Sequence, residues 1–145
     1  MVSVKFFKTD PRVTLPRYES ENASGMDLRA FIESDISIPP LGRSKIATGL
    51  KVEIPDGLEG QVRPRSGLAL KTGLTVLNSP GTIDSDYRGD LEIILVNISD
   101  QDVIIKNGER IAQLVISPVC RVSVTEADVL SPSRRGSGGF GSTGV

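Results

Sequence analysis

Residues 91–98 read LEIILVNI, apolar at every position except Glu92 and Asn97. The run is bounded by turn-forming residues and is too short for a typical helix, so it reads as a strand. Residues 111–116, IAQLVI, read the same way. Nearly continuous apolar runs of this length predict strands buried on both faces. Moving outward, the period is two: Val2-Ser3-Val4-Lys5-Phe6, Leu50-Lys51-Val52-Glu53-Ile54 and Val122-Ser123-Val124 all alternate. Turn signals separate the runs, at Pro39-Pro40-Leu41-Gly42, Pro55-Asp56-Gly57, Ser79-Pro80-Gly81 and Lys106-Asn107-Gly108. Many short strands between such turns predict an all-β sandwich, jelly roll or barrel. A turn or two of helix is expected near residues 66–71, and no internal repeat is present.

The 145 residues suit one domain, long enough to bury a core without disulfide or metal staples. There is no histidine, which removes Ser-His-Asp and Cys-His catalysis and any His-ligated zinc. Proton transfer is left to a carboxylate, Lys, Tyr or water. The one cysteine, Cys120, allows no intrachain disulfide, and its apolar neighbourhood predicts a small buried residue. With 17 basic and 18 acidic residues and no basic run, no nucleic-acid-binding face is expected. A small anion needs only a few placed cations, so a nucleotide fits. The N-terminus lacks a signal-peptide pattern, and no run of about 18 apolar residues exists. No membrane partner is expected, and the location is expected to be intracellular, cytoplasmic or nuclear.

Composition changes after Leu130. Residues 131–145, SPSRRGSGGFGSTGV, bury too little area to offset the entropy of ordering. The expected organisation is a β domain over 1–130 and a flexible arm over 131–145. A plain linker gains little from Arg135 and Phe140.

Three segments could carry chemistry. Residues 63–70, RPRSGLAL, combine Arg63 and Arg65 with a hydroxyl and accessible backbone N–H groups at Ser66 and Gly67. That set suits a phosphate, and a solvated surface turn is the plain alternative. Residues 78–90, NSPGTIDSDYRGD, form a hairpin-like unit with Asp84, Asp86, Tyr87 and Asp90. Turn aspartates are commonly caps, but the apolar Ile83 predicts a partly enclosed strand edge for Asp84, where a carboxylate could polarise water. Tyr87 could pack on a sugar or base, or be a half-buried strand aromatic. The arm joins glycines, whose N–H groups can converge on phosphate, to one stacking ring; it lacks the Lys of a Walker loop. Gln113 and Asp27 are ambiguous alone.

In order along the chain, GMDLRA (25–30), RPRSGLAL (63–70), GTIDSDYRGD (81–90), GERIAQLVI (108–116) and RGSGGFGSTG (135–144) resemble the five motifs of the trimeric dUTP pyrophosphatases. The resemblance spans residues 25–144. It implies a jelly-roll-like β subunit, assembled as a homotrimer with active sites shared between chains. It implies hydrolysis of dUTP to dUMP and pyrophosphate, limiting uracil in DNA and supplying dUMP for dTMP synthesis. Asp84 matches the catalytic aspartate that activates water for attack on the α-phosphorus. Tyr87 matches the residue that excludes a 2′-hydroxyl. Asn78, Gly81, Thr82 and Ile83, with Glu92 facing them, would read uracil's edge. Arg65, Ser66, Gly67 and Gln113 would contact the phosphates. Arg135 would meet the terminal phosphates, Phe140 would stack on uracil, and Gly141 lies beside it. Mg²⁺ would be held by the triphosphate, with Asp27 reaching its waters. Thr82 departs from the family, which often has an apolar residue there, and Asn78 is matched in only some members.

Two other readings differ in class. A dCTP deaminase of the same fold requires a catalytic glutamate where this chain has Ile94. A non-catalytic binding or regulatory protein typically loses the base or the arm, and both are present.

Overall fold

The computed structural model describes residues 2–142 and 144; Met1, Val145 and Thr143 of the Gly-rich block lie outside the described residues. Ten strands and one helix follow in order. They are β1 Lys5–Lys8, β2 Met26–Arg29, β3 Ile36–Ile38, β4 Arg43–Glu53, β5 Leu58–Arg63, α1 Ser66–Thr72, β6 Leu74–Val76, β7 Gly81–Ile83, β8 Asp90–Asn97, β9 Val103–Ile105 and β10 Arg110–Pro118. The strands form two four-stranded sheets, β1-β4-β8-β6 and β2-β10-β5-β7, and a two-stranded pair, β3-β9. Pairing is antiparallel throughout. This is the all-β, jelly-roll-like subunit with one short helix.

The turns form where Pro, Asn and Gly punctuate the chain. Leu58 N–H donates to Pro55 O at 3.2 Å, and Glu109 N–H to Lys106 O at 3.2 Å. Gly108 takes φ 82°, a left-handed conformation that residues with a Cβ rarely adopt. The helix begins abruptly after extended Arg65, with no side-chain cap, and stops at left-handed Gly73, whose N–H returns to Ala69 O.

Core packing follows the pleat. In β8 the side chains of Leu91, Ile93, Leu95 and Asn97 are buried, while Glu92, Ile94 and Val96 on the other face are half-covered. The expectation of burial on both faces is therefore corrected for the single chain: one face of β8 meets the core, and among the described residues nothing fully covers the other. β10 behaves similarly, with Leu114 buried and Gln113, Val115 and Ile116 half-covered. Each fully buried Leu or Ile contributes about 1.5–3 kcal/mol.

A bulge bends the long strand β4. Its register with β8 runs Ala47↔Glu92 and then Leu50↔Leu91, so Thr48 and Gly49 are extra. Gly49 takes φ 68° there. The freed carbonyl of Leu91 accepts from the buried hydroxyl of Thr48, so the irregularity leaves no orphan.

Two further expectations are corrected. Val122-Ser123-Val124 alternates but forms no strand: among the described residues no strand pairs with it, and both valines are exposed. Cys120 follows the last strand into that same uncovered segment and is exposed rather than buried. Among the described residues, no helix is long and apolar enough to cross a membrane.

Candidate active site

The sequence-predicted site residues fall into three groups. The first surrounds the β7–β8 connection. Thr82, Ile83, Asp84, Tyr87 and Glu92 line one open cavity of about 250 Å³, together with Lys45, Asp90 and Ile94. The strand β7 is held by β5 through Gly60↔Ile83, Gln61↔Thr82 and Val62↔Gly81, which delivers Asp84 to the sheet edge as the chain leaves the ladder. Tyr87 N–H donates to Asp84 O at 3.1 Å, forming the tight turn that follows. The Tyr87 hydroxyl donates to Asp90 O at 3.0 Å, which ties the ring to the start of β8. Gly81 is buried, and a Cβ there would meet the Asn78 amide at 3.1 Å, so Asn78 lies against the start of β7. Asp84 itself is exposed, not partly enclosed as Ile83 suggested. Residues 84–89 do not close a hairpin but carry the chain from β7 to β8 in the other four-stranded sheet, and among the described residues the cavity beside them stays open.

Glu92 reaches the cavity from β8, but its carboxylate is already paired. Lys45 Nζ lies 2.7 Å from Glu92 Oε2, and this bond holds the Lys45 ammonium above its ordinary pKa. Lys45 lies 47 positions upstream on another strand, so no local pattern marks it. Ile94 lines the same cavity where a deaminase needs a proton-transferring glutamate. An aliphatic side chain cannot do that work.

The second group lies on the same sheet as β7 but across it. On β10, Gln113 has Asp27 of β2 and Arg63 of β5 as its cross-strand neighbours. The Gln113 amide donates to Pro64 O at 2.9 Å. A Cβ at Gly25 would collide with Gln113 Oε1, so glycine there leaves the amide its room. Arg65 turns toward β2: its Nε donates to Asp27 Oδ1 at 2.8 Å. Arg110 Nη1 donates to Asp27 Oδ2 at 3.1 Å. Arg110 was not singled out from sequence; the block GERIAQ contained it, but only cross-strand pairing brings it to Asp27. Each arginine keeps further N–H donors free of Asp27. Ser66 and Gly67 follow Arg65 and are exposed at the start of α1.

This geometry tests Asp27 as a magnesium-water ligand. Its carboxylate accepts from two guanidinium groups, and among the described residues no group of three or more carboxylate or thiol side chains could hold a metal ion.

The third group is the arm. Arg135 Nε donates to Gly138 O at 2.7 Å, and the Phe140 ring is fully exposed at φ 49°. Gly141 follows it, also exposed. Among the described residues, the arm's hydrogen bonds are internal to it.

The dUTPase family model matches residues 12–144. The deoxyuridine 5′-triphosphate nucleotidohydrolase of Rhizobium etli (strain CIAT 652) is 55% identical over 90% of this chain and 85% of its own. That of Treponema denticola is 52% identical over 97% of both chains. The chain belongs to the dUTPase family. Among solved structures, the Staphylococcus bacteriophage 80alpha dUTPase with dUpNHpp superposes with TM-score 0.85 at 27% identity, covering 99% of each chain. As a dUTPase the chain is an enzyme, and four of the five motif blocks lie on or beside the β2-β10-β5-β7 sheet, the arm alone standing apart from it.

Proposed function

We propose that this enzyme hydrolyses dUTP to dUMP and pyrophosphate, in a homotrimer whose active sites are shared between chains. One observation carries the reading: Asp84 and Tyr87 share a nucleoside-sized cleft with the β7 backbone, in a chain of the dUTPase family. Uracil pairs with the β7 segment, using Gly81, Thr82 and Ile83, with Asn78 bracing its start. Tyr87 packs under the deoxyribose, and its ring, tied to Asp90, leaves no space for a 2′-hydroxyl. Asp84 accepts a proton from the water that attacks the α-phosphorus, and pyrophosphate leaves.

The phosphate chain is met by Arg65, Ser66, Gly67 and Gln113 of a neighbouring chain. Residues 1–130 act as the β domain, and residues 131–145 as an arm that closes on bound nucleotide. Arg135 then meets the terminal phosphates, and Phe140 stacks on the base beside Gly141. Magnesium arrives as part of the Mg–dUTP substrate and supplies charge neutralisation on the phosphates. Asp27, while holding Arg65 and Arg110, reaches the waters of that magnesium.

The test is pyrophosphate release with Mg²⁺ from dUTP, dTTP, dCTP and UTP. Release from dUTP alone is expected. Equal release from UTP would remove the assignment of Tyr87, and no release from any of the four would remove the reaction.

A further inference from the structure

Arg63 ends β5 and is exposed, two residues before Arg65, and the phosphate-binding group described above does not use it. It is the cross-strand neighbour of Gln113, so the two side chains share one face of the sheet with Cβ atoms about 5 Å apart. Asp27 flanks Gln113 on the other side, and the Gln113 amide donates at 2.9 Å to the carbonyl of Pro64, the residue after Arg63. Arg63 therefore borders that group directly. Its charge differs from its neighbours'. Arg65 and Arg110 share the Asp27 carboxylate, whereas among the described residues no carboxylate forms an ion pair with Arg63.

The Arg63 side chain is nonetheless held. Its Nε donates to Gln61 Oε1 at 3.1 Å, and its Nη2 donates to the same oxygen. Gln61 Nε2 in turn donates to Glu59 Oε1 at 2.7 Å. Glu59, Gln61 and Arg63 alternate along one face of β5, while Gly60 and Val62 are buried on the other. An ionised carboxylate only accepts, so Glu59 takes the NH₂ side of the Gln61 amide and leaves the amide oxygen facing the guanidinium. Two of the five guanidinium N–H donors are thus spent on a neutral oxygen. An exposed arginine that is fixed in direction, not offset in charge and still rich in donors suits an oxyanion.

We propose that Arg63 is a further contact for the substrate's phosphate chain, and that Gln61 and Glu59 are positioning residues that aim it. The inference rests on the dUTPase reading above and extends its phosphate-binding group by one cation. A triphosphate brings more negative charge than Arg65 and Arg110 can match once Asp27 offsets one of them. Arg63 supplies the missing charge from the strand next to Gln113. An arginine captured from solution loses rotamer freedom, and one tethered beforehand loses less, so the Glu59–Gln61 chain favours ligand binding more than it favours the fold. The gain scales with ligand charge, so a triphosphate benefits more than a monophosphate.

The experiment is calorimetric binding of the imido analogue dUpNHpp with Mg²⁺, and of dUMP, to the wild type, Arg63→Gln, Arg63→Lys and Gln61→Met, at low and high salt. Arg63→Gln is expected to weaken dUpNHpp about tenfold and dUMP by no more than about twofold, with the difference shrinking at high salt. Arg63→Lys recovers part of the affinity, since it keeps the charge without the planar fork. Gln61→Met keeps Arg63 but frees it, and weakens dUpNHpp about two- to fivefold. Circular dichroism and thermal melting confirm that each variant is folded. An Arg63→Gln variant that binds dUpNHpp as the wild type does overturns the contact, and so does one that loses dUMP in equal proportion, which marks a structural role. A Gln61→Met variant that binds dUpNHpp as the wild type does overturns the positioning. A wild type that binds neither nucleotide and releases no pyrophosphate from dUTP overturns the underlying reading instead, before any variant is compared.

Discussion

Asp84 and Arg65 stand on opposite sides of the same sheet. Asp84 leaves β7, one edge of β2-β10-β5-β7, while Arg65 is drawn to Asp27 on β2, the other edge. Along β5 they are separated too. Gly60 faces Ile83, so Asp84 falls level with Glu59, and the chain from there to Arg65 spans about 20 Å at ~3.3 Å per residue. One α-phosphate cannot touch both within a single chain.

Subunit complementation follows from this separation. Asp84→Asn alone is expected to bind dUTP while turnover falls at least about 10²-fold, and Arg65→Ala alone to be strongly impaired. Unfolded together at equal amounts and refolded, the two variants regain up to about a quarter of wild-type activity, because random closed assembly joins an intact Asp84 to an intact neighbouring Arg65 at one interface in four. Pyrophosphate release measures it. A mixture no more active than its parts shows that both residues act from one chain.

Phe140 touches nothing in the free chain, its ring wholly exposed. Phe140→Ala is therefore expected to leave the thermal midpoint unchanged. Loss of base stacking, about 1–3 kcal/mol, raises KM for dUTP about 5- to 150-fold. Steady-state kinetics beside a melting curve separates the two effects, and a KM equal to the wild type's removes Phe140 from the site.

Asn97 is a structural counterpart. It is fully buried at the end of β8, and its amide donates to Ile38 O at 2.8 Å and Gln101 O at 2.7 Å. Its carbonyl accepts from Ser99 N–H at 2.9 Å and from the Ser99 hydroxyl at 2.7 Å. Asn97→Ala strands these partners and opens a small cavity, for a cost of about 2–4 kcal/mol. The urea midpoint should fall, with Km-type parameters of the surviving folded enzyme near normal.

Arg12 holds the Asp10 carboxyl at about 2, below its usual 3.8, through a side-chain bond and the Arg12 backbone N–H. A depressed carboxylate stabilises the fold fully above pH 3.8, and that contribution is lost as pH falls through 2. Arg12→Ala keeps the backbone bond but removes the guanidinium, which also stacks 5.4 Å from the Phe31 ring centre. The Asp10 carboxyl resonance, followed by NMR, should titrate closer to 3.8. An unmoved titration assigns the shift to the backbone alone.

By itself the sequence determined several of the elements, though the alternation at Val122-Ser123-Val124 formed no strand. Period-two alternation over 50–54, the apolar runs at 91–98 and 111–116, and Pro, Asn and Gly at the turns are local signals, and each produced the expected strand or turn. The short helix at Ser66–Thr72 was equally legible, and the ordered motif blocks pointed to the family. What only the tertiary structure decided was which of these pieces meet. Antiparallel registers place Gln113 between Asp27 and Arg63, a bulge at Thr48 and Gly49 resets β4 against β8, and Lys45 reaches Glu92 across two strands. Such pairings join residues tens of positions apart, so no local period records them. Burial was misread for the same reason. The exposure of Cys120, Val122 and Val124, and of Asp84, depends on whether another surface arrives to cover them, and hydrophobicity along a chain does not say which surface that is.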